Sequence, residues 1–197
     1  MVRTRAMRTL ENACRRLGFV RVAGVDEVGR GCLAGPVVAG AVVLDPECHI
    51  AGLSDSKQVP APERDRLYDE IVRCALAWSV ASAEHGAPLP DLVLVDAFYV
   101  PDLFMAQRAV LHGDARCAAI AAGSIVAKVT RDRLMHDLHL TDPRYGFDRH
   151  KGYATADHLA AVAQHGYSPV HRRSFRPHTH TMLDAMPAGV AAPLPQD

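Results

Sequence analysis

No stretch of this sequence is long and apolar enough to cross a bilayer. The longest apolar run, 33–44, is broken by glycine and proline and falls short of the roughly 18 to 20 residues that a membrane span requires. Cysteine is sparse and poorly spaced for paired chemistry. The five cysteines stand at 14, 32, 48, 74 and 117; an odd count without close pairs speaks against a disulfide framework, and against structural zinc, which takes C-x-x-C pairs. Reduced thiols in a cytoplasm are expected. Net charge is also absent, since 22 Lys and Arg balance 22 Asp and Glu, so a strongly charged partner has to be met by a local patch. There are no internal repeats, which leaves no repeat architecture to consider.

What remains is an ordinary globular composition. Of 197 residues, 49% are hydrophobic and 22% charged, enough to bury one core and too apolar for wholesale disorder. Positive charge is concentrated between Lys128 and Arg176, where nine Lys and Arg face five acids, with six histidines interspersed. A solvated basic face and a polyanion-binding face both fit such a patch. Residues 1–17 carry Arg3, Arg5, Arg8, Arg15 and Arg16 against Glu11 alone, as a transit peptide would. Leu10, Ala13, Cys14 and Leu17 recur at helical spacing and Gly18 stops the pattern, so a basic surface helix is the expectation.

Two strands, 20–28 and 37–44, flank a glycine-rich turn and predict an antiparallel hairpin. Pro62 and Glu63 open a helix with Leu67, Ile71, Val72 and Ala75 on its apolar face, followed by a third strand over 77–83. The continuous apolar run 92–95 reads as an interior parallel strand. A fifth strand is expected over 107–111, a long helix over 115–135, a Gly/Tyr/His loop after Pro143 and a helix near 154–165. From Pro187 the chain is Pro-rich and reads as a disordered tail. The expected organisation is a basic N-terminal helix or extension at 1–19, one catalytic domain over 20–176, and a tail over 177–197.

Four acids interrupt this pattern where chemistry is plausible. Asp26 and Glu27 stand inside an apolar strand, where unpaired charge is costly unless a cation compensates. Neighbouring strand residues face opposite ways, so both serve one site only if the strand bends, which the glycines at 24, 29 and 31 allow. Asp96 ends the buried run, at the carboxyl end of a strand where open α/β sheets place ligands. Asp114 precedes the alanine-rich helix, where a helix N-terminus favours a carboxylate whether it is a ligand or only a cap. Converging carboxylates without histidine or cysteine suit hard cations, Mg²⁺ or Mn²⁺, and two such ions can hydrolyse a phosphodiester.

The segment Val22-Ala-Gly-Val-Asp-Glu-Val-Gly-Arg-Gly31 resembles the signature of the type 2 ribonuclease H family, ribonuclease HII. Leu53-Ser-Asp-Ser-Lys57, Leu94-Val-Asp96, Gly113-Asp-Ala-Arg116, Ile125-Val-Ala-Lys-Val-Thr-Arg-Asp132, Tyr145-Gly-Phe147, His150-Lys-Gly-Tyr153 and His171-Arg-Arg-Ser-Phe175 are similar to further family blocks, in order. The resemblance implies an α/β, ribonuclease H-like fold: a five-stranded mixed sheet of order 3-2-1-4-5 flanked by helices, with a C-terminal helical segment. It implies an endonuclease that cuts the RNA strand of RNA/DNA hybrids and ribonucleotides embedded in DNA, leaving 5′-phosphates, with Asp26, Glu27, Asp96 and Asp114 around a site for two Mn²⁺ or Mg²⁺ ions. It further implies that Gly29, Arg30 and Gly31 read the ribose 2′-hydroxyl and that Tyr153 packs on the next sugar. Lys57, and after it Lys128, would contact phosphates; Arg172 and Arg173 would do so or fold the C-terminal segment. A sliding-clamp partner is left open, and no membrane partner is expected. Gly123 stands where the family tends to have alanine, at a cost of about 1 kcal/mol if exposed. His178 and His180 receive no role.

One departure stands out. Between the third strand and Leu92 there is only the link 84–91, where relatives carry a crossover helix. In the family's order the link must span roughly 25 Å, and eight extended steps cover at most about 26 to 29 Å. A taut, helix-free link is expected, with Asp96 still reaching Asp26 but one sheet face partly uncovered and prone to self-association of an otherwise monomeric protein. Were the two acids apart, the alternative would be a catalytically impaired hybrid-binding module.

Overall fold

The first strand, β1 (Val22–Val28), follows a basic helix, α1 (Thr9–Arg16), and pairs antiparallel with β2 (Val38–Leu44), so the expected hairpin is present with each strand starting a residue or two late. In the computed structural model, which describes residues 5–80 and 90–172, the chain continues through α2 (Ala61–Cys74), β3 (Ala75–Val80), β4 (Leu92–Asp96) and β5 (Ala106–Val110). The sheet order is β3-β2-β1-β4-β5, the order that the resemblance implies. Leu92 to Val95 lie parallel beside Val22 to Val25, as expected of a strand buried on both faces.

The link expected to be taut lies mostly outside the described residues, but its end shows how β4 is seated. Asp91 accepts the backbone N–H groups of Val20 and Arg21 through Oδ2 and pairs with the Arg21 guanidinium at 2.8 Å. Its own N–H donates to the Arg21 carbonyl. This clamp sets β4 in register against β1 at its first residue. Of the face expected to be partly uncovered, the centre is buried, while Val25 and Ala77 are only partly buried. Ala23, Val43, Val93 and Val95 are all buried, with Leu103 and Met105 from the β4–β5 connection packed against them.

The predicted long helix is two. A short α3 (Gly113–Arg116) is separated from α4 (Ala118–Thr141) by Cys117, whose backbone is extended (φ −123°, ψ 120°) and bridges to Met7. The break is enforced from α1 and the segment before it: Met7 accepts the Ala118 N–H, and the buried Glu11 carboxylate of α1 accepts that of Ala119 at 2.7 Å. Glu11 therefore satisfies an N–H at the start of α4 that has no partner within its own helix.

From there α4 lies hard against the sheet. A Cβ on Gly24 would collide with the backbone of Ala119 and Ile120. At Gly123 a Cβ would lie 2.9 Å from the Gly40 carbonyl and 3.0 Å from that of Gly24. Gly123 is thus buried in a close helix–sheet approach, and the cost anticipated for an exposed glycine does not apply to it. The expectation of free thiols needs a second correction, because Cys48 and Cys74 form a disulfide. Their separation of 26 residues hides the pair from a search for short spacings; the fold brings the chain after β2 to the end of α2. Cys14, Cys32 and Cys117 are buried thiols outside any disulfide.

The chain packs as two compact units, Met1–Val28 with Val37–Arg131, and Gly29–Pro36 with Asp132–Asp197. The first holds the sheet and a core that includes Val22, Val42, Leu67, Ile71, Leu94, Ile120 and Ile125. The second joins the β1–β2 turn to the C-terminal segment around Leu33, Ala34, Met135, Tyr145, Phe147 and Val162. Its expected loop is instead a 3-10 turn, Pro143–Tyr145, and the one-turn α5 (Phe147–His150), followed by α6 (Ala156–His165). No helix among the described residues is long and apolar enough to cross a membrane. The expected tail, including His178 and His180, lies outside the described residues, as does Arg173.

Candidate metal centre

Asp26 stands near the end of β1 on the face that α4 covers, and only 8% of it is exposed. Its Oδ1 accepts the Glu27 N–H at 2.7 Å. Burial pushes its carboxyl up to about 6, with the Asp96 and Glu27 charges adding to the rise, while hydrogen bonds from the Ser124 side chain and the Glu27 backbone oppose it. The Ser124 hydroxyl is in turn 2.8 Å from that of Ser56. A buried polar chain, Ser56–Ser124–Asp26, therefore orients the carboxylate.

Asp96 ends β4, and its Oδ1 accepts the Gly113 N–H at 2.7 Å, which ties it to the start of α3. The strand is stopped there by Ala97, held at φ 60°, while Phe98 donates back to the Asp96 carbonyl. Asp114 stands on α3. Burial first, then the charges of Asp55 and Asp96, raise its carboxyl above the ordinary range, against the Ala115 N–H and Lys57. Ligand oxygens of Asp26, Asp96 and Asp114 all lie within 4.8 Å of one another. The shortened link does not separate Asp96 from Asp26, so the ground for an impaired binding module is absent.

Three carboxylates so close repel one another, and two have their charged forms disfavoured by burial, an arrangement that a bound cation would relieve. The donors are oxygens only, among the described residues, which fits Mg²⁺ or Mn²⁺ and not zinc. Glu27 is not in this group. It pairs with Ala39 one register step beyond Asp26, and its charge is felt at Asp26.

The remaining sequence-predicted residues fall as follows. Lys57 is exposed, its N–H bonded to Asp55 at 2.9 Å, and its charge is felt at Asp114. Lys128 is half-buried on α4. Within the second unit, Gly29 has φ 92° and Arg30 and Gly31 are exposed. Nothing lies within 4 Å of where a Gly31 Cβ would sit, so packing does not demand glycine there. Tyr153 is 37% exposed. Arg172 spends its guanidinium on the turn itself, donating to the carbonyls of Gly29 at 2.8 Å, Arg30 at 3.3 Å and Gly35 at 2.8 and 2.5 Å. Of the two roles open to it, this is the folding one.

Sequence reasoning passed over Ser124 and Asp55. Ser124 is a lone hydroxyl in the apolar run 117–127, a signal that could have marked it; Asp55 lies within the family block Leu53–Lys57, two residues before Lys57.

The family model described as Ribonuclease HII matches residues 23–87 and 75–178. The chain is 48% identical to Ribonuclease HII of Ralstonia nicotianae over 198 aligned positions, taking in 88% of this chain and 84% of that one. It is 50% identical to Ribonuclease HII 1 of Methylibium petroleiphilum, over 79% of this chain and 89% of the relative. The crystal structure of ribonuclease H2 from Pyrococcus horikoshii superposes with a TM-score of 0.63 at 25% identity, covering 80% of this chain and 95% of that one. The family match comes in two stretches meeting at 75–87, where the crossover is short.

Proposed function

The chain belongs to the ribonuclease HII family, and on that premise we propose that it is a divalent-metal-dependent endonuclease acting on the RNA strand of RNA/DNA hybrids and at single ribonucleotides embedded in duplex DNA. Its products carry 5′-phosphates, and its work is ribonucleotide repair and primer removal. The observation that carries this reading is the meeting of Asp26, Asp96 and Asp114, from β1, β4 and α3, within 4.8 Å. These residues would hold Mg²⁺ or Mn²⁺, with Glu27 contributing as the family implies. Bound ions would supply an activated water and stabilise the leaving oxygen.

The protein's own groups divide the remaining work. Ser124 and the Gly113 N–H fix the orientation of Asp26 and Asp96. Lys57, exposed and close enough for its charge to act on Asp114, meets a backbone phosphate beside the cluster. In the second unit the exposed Gly31, open on the side where a side chain would be, lets the backbone approach a ribose 2′-hydroxyl. Tyr153 packs on the neighbouring sugar and so selects an RNA-to-DNA junction.

The test is cleavage of duplex DNA containing one ribonucleotide, with Mg²⁺, Mn²⁺ or chelator. Asp26→Asn and Asp96→Asn are each expected to abolish cleavage while hybrid binding stays near the wild-type level, since phosphate contacts are made elsewhere. Near wild-type turnover in either variant overturns the assignment of the cluster.

A further inference from the structure

Three histidines that the carboxylate cluster does not use, His150, His158 and His171, are buried together in the second unit. The His150 and His158 rings stack with centroids 4.2 Å apart, and His158 lies 5.1 Å from His171. Their backbone partners dictate where each proton sits. The Ser168 N–H points at His171 Nδ1 from 3.0 Å, and the Ser168 hydroxyl is 2.7 Å from the same nitrogen. A backbone N–H can only donate, so that nitrogen accepts and His171 carries its proton on Nε2.

This Nε2–H faces His158 Nε2 across 3.0 Å, which must therefore accept. His158 then holds its own proton on Nδ1 and donates it to the Tyr153 carbonyl at 2.8 Å. His150 is fixed by the same logic: Gly152 N–H donates to its Nδ1 at 3.2 Å, and its Nε2–H donates to the Tyr145 carbonyl at 2.7 Å. A second proton on His158 or His171 would set two N–H groups against each other. Burial, the largest influence, lowers the proton affinity of all three rings, in keeping with a network that exists only when neutral.

Both ends of the relay lead to groups assigned to substrate. At one end is Tyr153 itself; the N-cap Thr155 takes the His158 N–H and so places that ring in the first turn of α6, beside the Tyr153 carbonyl. At the other end His171 precedes Arg172, whose guanidinium holds the carbonyls of Gly29, Arg30 and Gly35. The Gly152 carbonyl, one residue before Tyr153, accepts the N–H groups of Leu33 at 2.8 Å and Ala34 at 3.2 Å. We propose that the Ser168–His171–His158–Tyr153 relay is a positioning device, in which a single set of neutral tautomers holds the Tyr153 ring and the Gly29-Arg30-Gly31 turn in the arrangement that selects a ribonucleotide junction. This inference rests on the proposed reading of Tyr153 and the turn.

Two measurements on the full chain test it. Long-range ¹H–¹⁵N spectra at neutral pH should show His158 as the Nδ1–H tautomer and His150 and His171 as Nε2–H tautomers; a charged or Nε2–H His158 overturns the relay. Cleavage is then compared on a single-ribonucleotide duplex and on a long RNA/DNA hybrid. The ratio of the two rates in one preparation does not depend on the fraction folded. His158→Phe keeps a ring but removes both hydrogen bonds and should depress that ratio about tenfold or more, because small misplacements of positioning groups are costly. Ser168→Ala, which removes only one of the two donors to His171, should depress it less. If Tyr153→Ala loses both activities equally, the reading of Tyr153 fails. If Tyr153→Ala depresses the ratio but His158→Phe and Ser168→Ala leave it unchanged, the relay alone fails.

Discussion

At the scale of single residues, the acids were legible because each interrupts an apolar run where a charge needs compensation. Asp26 and Asp96 could be paired from strand order alone. Glu27 could not be resolved, because whether a strand bends enough to bring adjacent side chains to one face depends on geometry that no spacing encodes. Arg172 was readable only as a basic residue. Its function in the fold is to bind three carbonyls of the β1–β2 turn, and this depends on the forked geometry of a guanidinium. Arg172→Lys keeps the charge but reaches one or two of those acceptors at most. We expect thermal stability to fall by about 1–3 kcal/mol, the cost of depriving partly buried carbonyls, that of Gly35 above all, of their donors. Cleavage at an embedded ribonucleotide should fall by more than the folded fraction does. Unchanged melting and unchanged cleavage would show that the turn holds its shape without the clamp.

At the scale of elements, the strands and the sheet order were legible, since hydrophobic period and family blocks agree on them. The helix break at Cys117 was not, because its cause, the Glu11 carboxylate on Ala119, acts across 108 residues of sequence. The Asp91 clamp on Arg21 was hidden for the same reason, at a separation of 70. By sequence Gly24 is a place for β1 to bend; in the fold it is where α4 meets the strand, with Ala119 and Ile120 in the way of any side chain. Gly24→Ala must therefore push the helix off the sheet. Forcing extra volume into a packed interface costs about 1–3 kcal/mol or more, so the melting temperature should drop by roughly 3–10 °C for a chain of this size. Metal-dependent cleavage should drop with it, since α4 carries Ser124. A melting curve that overlays the wild type would refute the packing of α4 on β1.

At the scale of the whole molecule, composition indicated a globular chain without net charge but not how the titrating groups are shared between the two units. Histidine count gives no tautomers, and the three rings of the second unit became readable only through their backbone partners. His158 is the most perturbed, its proton affinity lowered from 6.5 to about 4 by burial first and by the neighbouring His150 and His171. The carboxylates of Asp142 near His171, and of Asp148 and Asp157 near His150, favour the charged rings, and Arg149 opposes them. Burial wins in all three. An unfolded chain therefore binds more protons than the folded one between pH 6.5 and about 4. The stability contributed by neutral His158 is complete above 6.5, declines as pH falls through this window, and is gone below about 4. Asp26 and Asp114, raised in the folded state, act with the opposite sign in the metal-free first unit, so a global melting curve mixes the two. Hydrogen exchange separates them. On acidification from pH 7 to 4.5, the amides of Gly152, His158 and His171 should lose protection while those of Val93 and Leu94 in β4 keep theirs, after correction for the intrinsic pH dependence of exchange. Loss at both places together, or at β4 first, would mean that acid opens the chain by a route other than the histidines.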